Sequence, residues 1–286
     1  MKRTGLGYRL CSGIVLGGLV LAAIFLDGWA GRAAFLAFGM GMVFAAVAEY
    51  LELLKKLGAP TSPFPAAAFS AALMGCMVAL DHPWKPMAAA LLAAVVAGWL
   101  LPIVSKNPGK AFVKTAVSFS AIPFLLLPLG FMAAIYLDGH DGRMAFLFLL
   151  LVVKMGDTGA YAVGTATAKL MPNGNHKIAP KISPKKSWEG TLGGLAASVA
   201  VAVGFRHLLP GGLGDDPATP ALLGAALFVG GFFGDLAESA LKRAAEVKDS
   251  SSWMPGLGGA LDTLDSLLLD APLFYVFLAL ATSHAA

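Results

Sequence analysis

Residues 234–272 read GDLAESALKRAAEVKDSSSWMPGLGGALDTLDSLLLDAP, an apolar stretch that carries far more carboxylates than such a stretch should hold. On a helix, Asp235, Glu238 and Lys242 fall at i, i+3 and i+7 and share a face. Asp262 and Asp265 repeat the three-residue spacing in the first turns of the next apolar run, again on one face. Carboxylates that close repel, and one charged Asp at the centre of a membrane span costs about 2.5–3.5 kcal/mol. Protonation, the nearby Lys242 and Arg243, or a bound cation would each relieve that cost. A hard divalent cation does so best. Mg²⁺ takes carboxylate oxygens and keeps water or phosphate oxygens in its shell. With no Cys/His cluster, zinc is not expected. The pattern therefore points to metal-assisted phosphate chemistry. Asp270, beside Pro272, reads as a neutral, hydrogen-bonded helix group.

Two further segments carry charge. In VVKMGDTGAYAVG, Lys154 and Asp157 are three apart, with Tyr161 one turn further on the same face. They form either an internal ion pair or the charged wall of a polar cavity. In NGNHKIAPKISPKKSWEGTLGG, four lysines (Lys177, Lys181, Lys185 and Lys186) lead into an apolar helix. A helix N-terminus flanked by lysines suits phosphate, and the same lysines suit anionic lipid headgroups. His176 is expected to make an ordinary loop hydrogen bond. Glu49 and Glu52, close to Lys55 and Lys56, are expected to form a helix-end salt bridge.

These residues sit in a chain of 286 residues, 57% hydrophobic and only 13% charged, with mean hydropathy +0.74. So few charges cannot cover a water-facing body. The expectation is an all-α, polytopic membrane protein of about nine spans, near 11–27, 33–54, 66–80, 87–104, 112–137, 144–168, 188–209, 220–241 and 261–283. Residues 1–110 would hold spans one to four, and 111–286 spans five to nine with the site. Pro123 and Pro128 predict a kink or a re-entrant turn in span five. Sixteen of the 21 Lys and Arg residues fall in alternate connectors starting with the N-terminus, and four in the others. That bias puts the N-terminus in the cytoplasm of a cell (inner) membrane protein, with the charged site near the cytoplasmic face. The first apolar run is expected to be an uncleaved span, and Cys11 and Cys76 to be small buried hydrophobes.

SALKRAAEVKDSSSWMPGLGGALDTLDS resembles the signature of phosphatidate cytidylyltransferases, the CDP-diacylglycerol synthases. Ser239, Lys242, Arg243, Lys248, Asp249, Gly258, Gly259, Asp262 and Asp265 fall in register with it. GDTGAYAVG and SPKKSWEGTLGG are similar to the family's other two common stretches, in the same order. Leu257 stands where the family usually has His, and Thr263 where it has Arg; Met254 and Ala260 are milder departures. These changes leave the aspartates in place and imply a variant site.

The resemblance implies that CTP and phosphatidate give CDP-diacylglycerol and pyrophosphate. It further implies that Asp235, Asp262 and Asp265 hold Mg²⁺, with a second, monovalent cation such as K⁺. Lys242, Arg243 and Lys248 would bind phosphates, with Lys185, Lys186, Ser183, Ser239 and Asp249 as further substrate-binding residues. Asp157 and Glu189 would orient lysines or support the metal. The partners implied are CTP, phosphatidate and membrane lipid, with no nucleic acid; a homodimer is compatible with the sequence. Three rivals remain open: a CTP-dependent cytidylyltransferase or kinase acting on another lipid, a catalytically silent relative, and an ion-coupled secondary transporter. The transporter would need charges near the midplane and two matching halves, which the sequence lacks.

Overall fold

The computed structural model describes residues 6–80, 84–251 and 258–283. Helices dominate: α1 (Leu6–Phe25), α2 (Gly28–Lys56), α3 (Pro63–Ala79), α4 (Trp84–Val104), α5 (Pro108–Phe119), α6 (Leu127–Leu137), α7 (Gly139–Leu170), α8 (Trp188–Gly204), α9 (Ala218–Ala244), α10 (Ala260–Leu264) and α11 (Leu267–Ser283). Among the described residues, six helical runs are long and apolar enough to cross a membrane: 28–56, 84–104, 108–137, 141–170, 218–244 and 260–281. Two apolar helices, Gly13–Phe25 and Pro63–Ala79, are shorter. The chain is an all-α, multi-pass membrane protein. It carries one addition unforeseen in the sequence, a short antiparallel hairpin of β1 (Lys177–Ala179) and β2 (Ser183–Ser187) within the basic loop.

Span five is one helical run interrupted by a π-turn at Ile122–Leu126. Pro123 has no amide hydrogen to give, so a widened turn there loses little in backbone bonding. Cys76 is an exposed free thiol on α3, which corrects the expectation that it is buried. In an apolar helix that faces lipid, exposure to the bilayer costs a thiol nothing comparable to exposure to water. Cys11's side chain lies outside the described residues.

The chain divides into two compact units. The first holds residues 1–134 and 241–264. In it α2 packs on α1, α3 and α10, and α4 on α3 and α5. Phe35, Val43, Ala46, Val47 and Leu51 of α2 and Met74 and Met77 of α3 are buried there. Much of α4 stays exposed, with Trp99, Ile103 and Val104 each more than 70% accessible; these are side chains for lipid.

The second unit holds residues 135–240 and 265–286. Its densest packing is between α7 and α8. The buried residues of α8, Gly190, Gly194, Ser198 and Ala202, recur every fourth position and are all small. Gly156, Ala160 and Gly164 repeat that spacing on α7. A Cβ placed on Gly194 would lie 2.8 Å from the Ala160 Cβ and 2.9 Å from the Gly156 carbonyl oxygen. Small residues let the two backbones touch, the usual way helices associate where lipid offers no hydrophobic drive. The Ser198 hydroxyl donates to the Val152 carbonyl at 3.1 Å across the same seam.

Candidate active site

In the second unit, Asp235 and Glu238 lie one turn apart on α9, as their spacing predicts, and Asp265 follows the end of α10. One oxygen from each of these three carboxylates lies within 4.8 Å of the others. Glu238 is 6% exposed, and Asp235 and Asp265 are half-buried. At an effective dielectric of about 20, each charged pair at that separation repels by about 3 kcal/mol. Protonation of one acid relieves this, and so does nearby positive charge. Lys186 supplies part of it: its ammonium sits 3.0 Å from Asp235 Oδ2, donates to the Phe232 carbonyl at 3.0 Å, and lies 4.1 Å from the Phe232 ring centroid.

The hairpin explains how Lys186 gets there. Side chains alternate along a strand, so neighbouring Lys185 and Lys186 point to opposite faces of β2. Lys186 turns to Asp235, while Lys185 is exposed and Ser183 half-buried. β2 then runs directly into α8, whose N-cap Ser187 accepts from the Gly190 amide at 3.1 Å. His176 makes the loop hydrogen bond expected of it, 2.6 Å from Glu189 Oε1, and its amide donates to the same carboxylate. Glu189 therefore ties down the start of the hairpin.

Polar neighbours link these carboxylates to the other acids beside them. Ser239 donates to Asp235 Oδ1 at 3.3 Å. Asp157 pairs with Lys154 at 3.5 Å and accepts from the Ser266 hydroxyl at 3.3 Å. Ser266 also gives its amide to Asp265 Oδ1 at 2.6 Å, in the turn where the helix breaks between Leu264 and Leu267. Asp270 is fully buried against the backbone of α9 at Gly231. Gly230 and Gly231 of α9 leave room for it: a Cβ on Gly231 would come within 2.8 Å of Asp270 Oδ2.

In the first unit, Asp262 has other company. The break after Leu264 overturns the expectation that Asp262 and Asp265 lie on one face of a continuous helix. Asp262 Oδ1 accepts from the Lys242 ammonium. Its Oδ2 accepts from the Gly259 amide at 2.7 Å and from the Ser250 amide at 3.0 Å, and lies 2.8 Å from the Ser250 hydroxyl oxygen. Gly258 takes φ +92°, which only glycine adopts freely. Asp262 Oδ2 would be only 2.7 Å from a Cβ there.

Glu49 was expected to pair with Lys55 or Lys56. It instead lies buried and accepts from the amides of Ala260 and Leu261 and the hydroxyls of Ser250 and Ser251, at 2.6–3.1 Å. It fills the N-terminus of α10, where backbone donors have no helical partners. Glu52 does bind Lys55, at 3.3 Å. Nothing in the sequence near Glu49 announces this partner some two hundred residues away. Arg243 donates to the Val247 carbonyl at 3.0 Å, while Lys248 and Asp249 are exposed. Thr263, which replaces the expected Arg, donates to the Gly259 carbonyl at 3.0 Å. Met254 and Leu257 lie outside the described residues.

The chemistry open to the second unit is clear from its donor set. Three hard carboxylates and an ammonium gathered in one place suit a divalent cation and phosphate oxygens. Glu238, a member of that group, was read in the sequence only as a residue sharing a face with Asp235.

Residues 7–281 match the model of the cytidylyltransferase family. A phosphatidate cytidylyltransferase of Brucella suis is 31% identical over 274 residues, covering 94% of this chain and 92% of that protein. One from Haemophilus influenzae is 39% identical over 177 residues, 60% of this chain and 58% of the relative. One from Chlamydia trachomatis is 40% identical over 141 residues, 48% of this chain and 44% of the relative. The chain thus spans about half the length of the last two relatives and nearly all of the first.

Proposed function

The chain belongs to the cytidylyltransferase family, and from that premise we propose that it transfers a cytidylyl group from CTP to phosphatidate. A phosphate oxygen of phosphatidate attacks the α-phosphorus of CTP. A new phosphorus–oxygen bond forms, the bond to the β-phosphate breaks, and pyrophosphate leaves. CDP-diacylglycerol remains in the membrane. Phosphatidate brings its own nucleophile, so no side chain need be activated. The protein must instead bring two polyanions together and neutralise them.

The observation that carries this reading is the meeting of Asp235, Glu238 and Asp265 beside Lys186. Their oxygens fit Mg²⁺, which would act there as a Lewis acid toward phosphate oxygens. Lys186 holds Asp235 in place and presents an ammonium to an incoming phosphate. Ser239 orients Asp235 through its hydroxyl, and Ser266 orients Asp265 through its amide. Asp262, paired with Lys242, holds the Ser250 and Gly259 amides in place. Arg243, Lys248 and Lys185 remain candidates for phosphate contact, and a monovalent cation for a second ion. The proposed placement is the bacterial inner membrane, with nine spans, a cytoplasmic N-terminus and the site toward the cytoplasmic face.

Purified protein given CTP, phosphatidate and Mg²⁺ should release pyrophosphate in step with CDP-diacylglycerol. Release with a polyprenol or another lipid phosphate but not with phosphatidate would reassign the acceptor. No release with any lipid would defeat the enzyme reading.

A further inference from the structure

The first unit contains a cavity of about 780 Å³ lined by α3, α4 and α5, and it shares no lining residue with the carboxylate group. Its lining sorts by position. Where α3 begins, α4 ends and α5 begins, the wall is polar: Ser62, Ser105, Asn107 and then Lys110 and Lys114. Further in, it is mainly apolar, with Phe69, Leu101, Phe119 and Ile122 beside the hydroxyls of Ser70 and Thr115. Three helix ends meeting at one mouth, in a membrane protein, set the polar part at the lipid–water boundary and the apolar part at acyl-chain depth.

Charge is one-sided. Lys110 and Lys114 are exposed, and no carboxylate lines the cavity. Lys110, Lys114 and Ser118 recur every fourth residue, so they form one column down α5 from the mouth inward. From Lys110 to Phe119 the helix rises about 13 Å. Asn107 caps α5 by accepting from the Lys110 amide at 3.1 Å, which leaves the positive end of the helix facing the mouth. The Ser118 hydroxyl ends the polar column. Its oxygen is buried and has no hydrogen-bond partner among the described residues, a costly state that a ligand acceptor would relieve. The cavity therefore offers two cations at the mouth, an unsatisfied hydroxyl below them, and an apolar floor.

We propose that this cavity binds an anionic phospholipid. Its phosphate rests between Lys110 and Lys114, an ester oxygen accepts from Ser118, and one acyl chain lies along Leu101, Phe119 and Ile122. A nucleotide fits the lysines but not the floor, and a neutral lipid fits the floor but wastes the lysines. The volume lies within the range of small-molecule sites. The inference rests on the chain being a membrane protein and is independent of the reaction proposed above.

Ser118→Cys, in full-length protein whose Cys11 and Cys76 are replaced by Ala, places a thiol in the cavity. The measurement is its rate of maleimide alkylation in detergent micelles. Dioleoyl phosphatidylglycerol should slow alkylation several-fold, while dioleoyl phosphatidylcholine and inorganic phosphate should not. Adding Lys110→Gln and Lys114→Gln should raise the phosphatidylglycerol needed for half-protection about tenfold or more. Equal protection by phosphatidylcholine, or full protection in the double lysine variant, would overturn the proposal. Protection by inorganic phosphate alone would leave an anion site and no lipid site. The thermal midpoint of each variant, measured alongside, shows that the thiol reports on folded protein. A reaction that fails with phosphatidate leaves this result untouched.

Discussion

Asp265 and Asp262 are three residues apart in the sequence and engaged in different ways, so their substitutions should fail differently. Asp265 contributes to a group of like charges that the proposed Mg²⁺ would hold together. Asp265→Asn should leave the fold intact and slow pyrophosphate release by about 10²–10³-fold. Mg²⁺ should raise the thermal midpoint of the native protein but not of this variant, because only a bound ligand stabilises. Equal Mg²⁺ shifts in both proteins would remove Asp265 from the metal. Glu49 is a structural counterpart in the first unit. Its carboxylate accepts two amides and two hydroxyls while 7% exposed. Glu49→Ala strands those donors and should cost about 2–3 kcal/mol, read as a lowered thermal midpoint in detergent. An unchanged midpoint would mean that water reaches the loop.

The basic hairpin turns a run of lysines into two kinds of lysine. Strand alternation sends Lys186 to Asp235 and leaves Lys185 exposed. Lys186→Gln should therefore raise the KM for CTP about tenfold, whereas Lys185→Gln should change it little. Similar effects for both would show that the hairpin acts as a diffuse basic patch. The α7–α8 seam sets a different limit. Gly194 is buried where any side chain meets Ala160 and the Gly156 backbone. Gly194→Leu should destabilise the second unit by about 3 kcal/mol through overpacking. The readout is the yield of monodisperse protein and its thermal midpoint, and a midpoint equal to that of the native chain would refute close contact.

At the scale of the whole chain, the proposed odd number of spans puts the two termini on opposite sides of the membrane. The proposed cytoplasmic N-terminus follows from the loop-by-loop excess of Lys and Arg. A C-terminal alkaline phosphatase fusion should then be active, and an N-terminal cysteine tag should be labelled only after permeabilisation. An inactive fusion would require an even count. The six long helical runs, together with the shorter α1, α3 and α8, are the segments among which those spans must be found.

Low charge and recurring apolar runs of about 20 residues made this a helical membrane protein, because a helix satisfies its own backbone in lipid. Local spacing placed Asp235 and Glu238 on one face, since helix geometry is fixed by neighbours. The small residues every fourth position of α7 and α8 were equally open to reading as a packing seam. Four things could not be read locally: the break after Leu264, the hairpin that separates Lys185 from Lys186, the capture of Glu49 by a distant loop, and the membership of Glu238 in the carboxylate group. Each depends on which unpaired amides, carboxylates and ammonium groups are brought within a few ångströms. Only the packed chain decides that, because such groups seek partners by distance in space and not by separation in sequence.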